Sequence, residues 1–379
     1  MSEPGAPPLD GLRVIDLATV LAGPNCARYL ADFGADVIKV EHPDGGDTLR
    51  RMAWLDPDDG TSLFFKLANR NKRFVTLDLR HADDLAVLRR LLAEADVLVE
   101  NLRPGKLEAL GLAPDDLLAA NDRLVITRVT GFGQDGPYAH RAGFATLAEA
   151  MSGFAAVNGE PDGAPMLPPI ALTDELTAIV AAFATMVAVH SGVGQVVDVN
   201  LLESMLHIMG PVVSAYDRLG YVQPRLGSGI PYTVPRNTYR TADGHWVAVS
   251  SSAESVAARV IALVGAGDDE RFATFAGRVE HRAEVDALVA AWIAERTRDE
   301  VLAAFDAVEA AAAPVYDVPA LVADPHLGQR QALARVDGVL MQGLIARLSA
   351  TPGRLRHAGR PLGADDPDAG TGERIDWHR

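Results

Sequence analysis

The sequence has a single cysteine, Cys26, so no disulfide can form within the chain and nothing in it calls for an oxidising compartment. The cytoplasm is the expected location. Lysine is scarce and lopsided, the last of its kind being Lys106. The formal charge is −16, and a surface field of that sign repels nucleic acid and anionic membranes as general partners. An anionic ligand would therefore need a local basic pocket. No basic-then-apolar leader opens the chain; MSEPGAPPLDG is acidic and proline-rich. The longest apolar stretch, 178–189, falls short of the roughly 20 residues of a membrane helix. Histidines are scattered without His-x-x-x-His or Cys-x-x-Cys spacing, so no metal is expected, and no G-x-S-x-G elbow offers a hydrolase serine.

What is present is a chain of 379 residues, 48% hydrophobic, long enough for two lobes. Short β-branched runs alternate with helical segments from residue 11 to about 133. LRVIDLA (12–18), ADVIKVE (35–41), FVTLDL (74–79), DVLVEN (96–101) and LVITRVTGFG (124–133) read as strands. CARYLADF, HADDLAVLRRLLAEA and APDDLLAAN read as the helices between them. That order implies a parallel sheet covered by helices, an α/β, Rossmann-like large domain. YVQPRLGSGIPYTVPRN (221–237) reads as a linker, and NTYRTADGHWVAVSS as a hairpin turning at Asp243-Gly244. Alanine-rich helices follow to about 310. The expected division is a large domain over 1–220, a smaller α+β domain over 221–325, and a return to the large domain over 326–379.

GFGQDG (131–136) fits the glycine spacing of a dinucleotide loop, but Pro137-Tyr138 follows where a helix should start, so a tight turn at a strand end is expected. Lys39, Lys72, Arg73, Arg80, Arg103 and Lys106 lie in or near the ends of the first-lobe strands, and together they would suit a ligand carrying phosphates. In PPIALTDELTAIVAAF (168–183), Leu176, Ile179, Val180, Phe183 and Val187 recur at helical spacing, which predicts a core helix. Asp174 and Glu175 open it. Either could be a cap, a task for which Thr173 would serve equally. A carboxylate held ionised by the helix dipole could also be a nucleophile, and the residues alone leave both readings open.

Specific strings narrow this. PLDGLRVIDLATVLAGPNCARYLADFGADVIKVEHPDGGD, NRNKRFVTLDLR, ADVLVENLRPGKLEALGL, VTGFGQDGPYAHRAGFATLAEAMSGFAAVNGEPDG, GQVVDVNLLES and AAPVYDVPALVADPHL resemble, in that order, the family III CoA-transferases. That group includes formyl-CoA and carnitine CoA-transferases and the α-methylacyl-CoA racemases. The resemblance implies a Rossmann-like lobe built from both chain ends, a smaller lobe, and an interlocked homodimer. It implies coenzyme A or an acyl-CoA as substrate, a carboxylic acid as partner, and no permanently bound cofactor.

By position it places CoA contacts at Leu21, Ala22, His42, Leu77 to Arg80, and Asn101, Leu102 and Arg103, with His42 standing where relatives often have arginine. It places the nucleophile at Asp174, which would pass through an aspartyl anhydride and an aspartyl-CoA thioester. The alternatives are an acyl-CoA racemase or epimerase, or a non-catalytic acyl-CoA-binding protein. The racemases carry a histidine where this chain has Phe144, which cannot exchange protons, and only His140 is near. The glycine-rich loop of the oxalate-handling transferases is missing as well, Leu226-Gly227-Ser228-Gly229 being the nearest stretch.

Overall fold

A computed structural model describes residues 5–367 and 375–377 of the chain. The outermost parts of the expected first and last ranges, 1–4, 368–374 and 378–379, lie outside the described residues. The fold divides into two compact units. One takes the described residues up to Ser152, Pro168–Met209 and those from His326 on; the other takes Gly153–Leu167 and Gly210–Pro325.

The first unit is built on six parallel strands: β1 (Arg13–Asp16), β2 (Asp36–Glu41), β3 (Arg73–Thr76), β4 (Val97–Glu100), β5 (Val125–Thr130) and β6 (Gln195–Asn200). Their order, β3-β2-β1-β4-β5-β6, is doubly wound, with the direction of winding reversing between β1 and β4. The central strands are nearly continuous apolar runs because both sheet faces are covered. On one face Ile15, Ile38, Val75, Leu98 and Ile126 join Leu88, Leu91 and Leu92 of helix Ala82–Glu94. On the other lie helix Ala22–Asp32 and a long helix, Leu172–Ser191. Trp377 completes the first layer, its indole N–H donating to the Leu91 carbonyl at 3.3 Å.

The long helix overturns the expectation of a core stripe. Its buried residues are Thr173, Thr177, Ala178, Ala181, Thr185 and Ala188. Ile179, Phe183 and Val187 are 42%, 71% and 55% exposed. Close approach to helix Ala22–Asp32 and to the sheet admits only small side chains, so the bulky ones are left on the outer face. By length and mean hydropathy, 1.6 over its most apolar window, this is also the one helix among the described residues able to cross a membrane, although the apolar run within it is shorter. It ends at Gly192, whose φ of 71° is the left-handed cap glycine favours.

Residues beyond His326 are tied into the first unit. Asp365 and Asp366 accept hydrogen bonds from the Phe74 and Thr76 amides on the outer edge of β3, blocking strand addition there. Arg70, fully buried, joins Asp32 to the Gln342 and Gly343 carbonyls.

The second unit holds a three-stranded antiparallel sheet, β7 (Arg236–Arg240), β8 (Trp246–Ser250) and β9 (Ala311–Pro314). β7 and β8 form the hairpin expected at Asp243-Gly244, with Gly244 at φ 82°. The stretch read as a linker is part of this unit. Arg225 pins it by donating to the carbonyls of Glu160 and Gly163 at 3.1 and 2.8 Å.

Candidate active site

The crevice beyond the carboxyl ends of parallel strands, where the winding reverses, is where an open α/β sheet receives a ligand. Here that crevice is a cavity of about 240 Å³ in the first unit. Thr19 to Ala22 enter it from the loop after β1, Asn101 to Pro104 from the loop after β4, and Gly131, Arg141 and Phe144 from the segment after β5. Asp174 reaches it from the first turn of the long helix. Beside it a second cavity, of about 410 Å³, is lined by His42 after β2, Leu77 to Arg80 after β3, and Asp47. Thr19 and Leu102 line both. The CoA-contact and nucleophile positions that the family resemblance implies therefore fall on two adjoining cavities at one sheet edge. Leu21, Ala22, Asn101, Leu102, Arg103 and Asp174 gather in the first, and His42, Leu77 and Arg80 in the second.

The rim is tightly held. Asn101 uses both side-chain ends on Thr19, accepting from its amide at 2.9 Å and donating to its carbonyl at 2.7 Å, and so latches the β1 and β4 loops together. Val20 has a φ of 68°, a left-handed conformation costly for a β-branched residue. Its amide is captured by both oxygens of the Asp47 carboxylate at 3.1 and 3.2 Å. Gly23 lets helix Ala22–Asp32 begin against this loop, since a Cβ there would sit 2.3 Å from the Ala18 Cβ. Gly131 and Gly143 allow a similar approach, a Cβ on either meeting the other's Cα at 2.5 Å. GFGQDG is accordingly a turn, with Gly133 and Gly136 at φ 91° and 80°, and no helix follows before Ala145.

Two lysines grouped with the anion-binding set belong elsewhere. Lys39 and Lys72 are completely buried. Lys39 pairs with Asp47 at 3.2 Å and donates to the Ala18 carbonyl at 2.7 Å. Lys72 satisfies its three donors on Asp16, Asn69 and the Pro24 carbonyl, and burial pulls it down to about 8. They fix the β1 loop and the start of the first helix from beneath. Arg73 pairs with Asp36 at 3.3 Å. Arg80 remains at the second cavity, held by Asp78 at 2.8 Å with His42 Nε2 2.9 Å from its Nη2. That guanidinium keeps the Asp78 carboxyl far below the usual range.

Asp174, Thr173 and Glu175 differ sharply. Thr173 is no cap; Ala171 occupies the cap position, and the Thr173 hydroxyl donates to Glu149 Oε1 at 2.9 Å. Glu149, in helix Ala145–Met151, is buried and drew no attention from sequence, its only signal being one carboxylate in a mostly apolar stretch. Glu175 accepts from Asn25 Nδ2 at 2.8 Å and from the Tyr29 hydroxyl at 3.2 Å, and Arg28 lies at 3.6 Å, so it bolts the long helix to its neighbour. Asp174 alone faces the cavity. Burial first, then the charges of Glu175 and Glu149, push Asp174 up to about 6, against the pull of the helix dipole. It is still mostly ionised at neutral pH, and desolvation leaves the carboxylate more reactive than a surface one. Phe144 faces the same cavity, and His140 is exposed and absent from its lining.

CoA-transferase family III matches residues 9–366 of the chain. The succinyl-CoA–D-citramalate CoA-transferase of Chloroflexus aurantiacus is 40% identical over 368 residues, 94% of this chain and 91% of that protein. The succinate–glutarate CoA-transferase of Agrobacterium fabrum is 37% identical, over 94% and 93% of the two chains. Among solved structures, a CaiB/BaiF family protein from Brucella suis has a TM-score of 0.83 at 33% identity, covering 95% of this chain and 97% of that one. Fold and sequence together define an enzyme of the CoA-transferase class. The chain belongs to CoA-transferase family III.

Proposed function

We propose that this enzyme moves CoA between short dicarboxylic acids with Asp174 as the covalent centre. The reading is carried by one observation, the partly buried Asp174 carboxylate opening onto the cavity at the winding reversal. The carboxylate attacks the donor thioester carbonyl; the C–S bond breaks, giving an aspartyl–acyl anhydride and CoA thiolate. The thiolate attacks the aspartyl carbonyl, releasing the donor acid as a carboxylate and leaving an aspartyl-CoA thioester. The acceptor carboxylate displaces the thiolate to form a second anhydride, and the thiolate takes the acyl group from it, restoring Asp174. No proton is gained or lost overall. The Thr173 and Asp174 amides, which have no intrahelical acceptor at the first turn, are suited to the developing oxyanions.

CoA would run from His42, Leu77 and Arg80 in the larger cavity, over Leu102, to Leu21, Ala22, Asn101 and Arg103 beside Asp174, in a reducing cytoplasm. The substrate class follows from the two relatives, whose names pair succinate or succinyl-CoA with a second dicarboxylic acid. Transfer is favoured over racemisation because Phe144 occupies the cavity and His140 does not line it. The outward face of Ile179, Phe183 and Val187 supports the homodimer, an apolar surface of this kind being costly in water. Incubation with succinyl-CoA, hydroxylamine trapping and peptide mass analysis test the mechanism. Modification is expected at Asp174; modification elsewhere, or α-hydrogen exchange without an acceptor acid, overturns it.

A further inference from the structure

We propose that Arg141 is the receptor for the distal carboxylate of the dicarboxylic substrate, the residue that sets preference for diacids over monoacids. The inference rests on Asp174 being the acyl-accepting group. Arg141 and Asp174 line the same cavity, whose 240 Å³ is below the usual range for drug-sized ligands and suits a short acid. Three of the other arginines around this sheet edge are neutralised: Arg28 by Asp32 and Glu175, Arg80 by Asp78, Arg128 by Glu100 and Glu108. Among the described residues no carboxylate lies within ion-pairing distance of Arg141.

Although exposed, its side chain is supported on one side. The guanidinium carbon sits 4.6 Å from the centre of the Tyr138 ring, and the Arg141 amide donates to the Tyr138 carbonyl at 2.9 Å. The close approach of Gly131 and Gly143 holds the segment against the end of β5. Stacked in this way, the guanidinium keeps its planar fork free for a carboxylate, with little rotamer freedom to lose on binding.

A cation is also needed here. Glu149 and Glu175 already raise Asp174, so a dianionic acid entering the cavity meets acidic surroundings. Phe144 supplies an apolar wall for the carbon chain. Arg103, the other unpaired arginine, adjoins Leu102, which lines both cavities, and it suits the phosphates of CoA. Arg103 and Arg141 both line the cavity that holds Asp174 and neither lines the second, so what sets Arg141 apart is its place beside Phe144 and its stacking on Tyr138. The same guanidinium chemistry would serve a phosphate, and the kinetics separate the two.

With succinyl-CoA as donor, kcat/KM is measured for glutarate and malate against butyrate and pentanoate in the wild type, Arg141→Gln and Arg141→Lys. The wild type is expected to prefer the diacids. The Gln variant should lose that preference by about 10- to 100-fold through the diacid KM, the scale of one or two charge-assisted bonds, and Lys should restore part of it. A wild type indifferent to the second carboxylate, an equal loss for both acid classes, or a rise confined to the KM of succinyl-CoA overturns the proposal, the last outcome assigning Arg141 to phosphate. Trapping on each variant separates the two readings. An Asp174 adduct without loss of diacid preference sinks only the Arg141 role, whereas no Asp174 adduct in the wild type sinks the underlying mechanism.

Discussion

Thr173, Asp174 and Glu175 perform three unrelated tasks from one turn of helix, and only the middle one opens onto the cavity. Asp174 carries a cost in the folded state. Its folded value, about 6, lies above the ordinary aspartate value of 3.8, so burying the ionised form destabilises the fold above pH 6, and the penalty fades as pH falls toward 4. Asp174→Asn should therefore abolish transfer and, in urea titrations at pH 7, add on the order of 1–2 kcal/mol after discounting for partial exposure. At pH 4 the gain should be gone. Activity should fall with acid along a limb near pH 6, the value for Asp174. Glu149→Gln removes one of the charges that raise Asp174, so it should shift the limb to lower pH. An unmoved limb would show that Glu149 does not act on Asp174. Sequence could not have shown this environment, because Glu149 and Asp174 meet only through packing of two helices.

At the scale of elements, the strands were legible because parallel strands buried on both faces are runs of Val, Ile and Leu with few interruptions. Their ends were not. FVTLDL was read as continuing to Leu79, but β3 stops at Thr76 because Leu77 to Arg80 turn out to line a cavity. The long helix was found and misoriented, since periodicity of large apolar residues cannot distinguish a core face from an apolar face left exposed on the chain. For the proposed homodimer, Phe183→Asp should leave the fold intact and yield a monomer in light scattering; a dimer that persists would place the interface elsewhere. The β1 loop offers a second test. Val20→Gly relieves the positive φ and should raise stability by about 1 kcal/mol. Asp47→Asn removes the charge paired with Lys39 and weakens capture of the Val20 amide, so the KM for succinyl-CoA should rise more than kcat falls.

At the scale of the molecule, the first unit is assembled from segments far apart in sequence. The resemblance to a known family brought the two cavities' residues together, whereas hydropathy gave only the individual strands. Residues 375–377 reach back to the first layer, where Trp377 is 8% exposed. Trp377→Ala should cost about 3 kcal/mol, seen as a lowered first transition in thermal melts. The net charge of −16 makes the basic groups at the sheet edge matter more than their number suggests, because they act against the field of the whole molecule.

The first turn of the long helix has a further consequence, one of angle. Successive side chains on a helix point roughly 100° apart, so partner choice there is set by phase as much as by residue type. Exchanging Thr173 and Asp174 keeps composition and helix propensity nearly constant, yet it aims the carboxylate at Glu149 and a hydroxyl at the substrate. A one-residue deletion before the turn would do the same to all three partners at once. The cavity-facing carboxylate is thus indexed by rotation, and the hydrogen bonds that Glu175 accepts from Asn25 and Tyr29 are the stop that holds the dial.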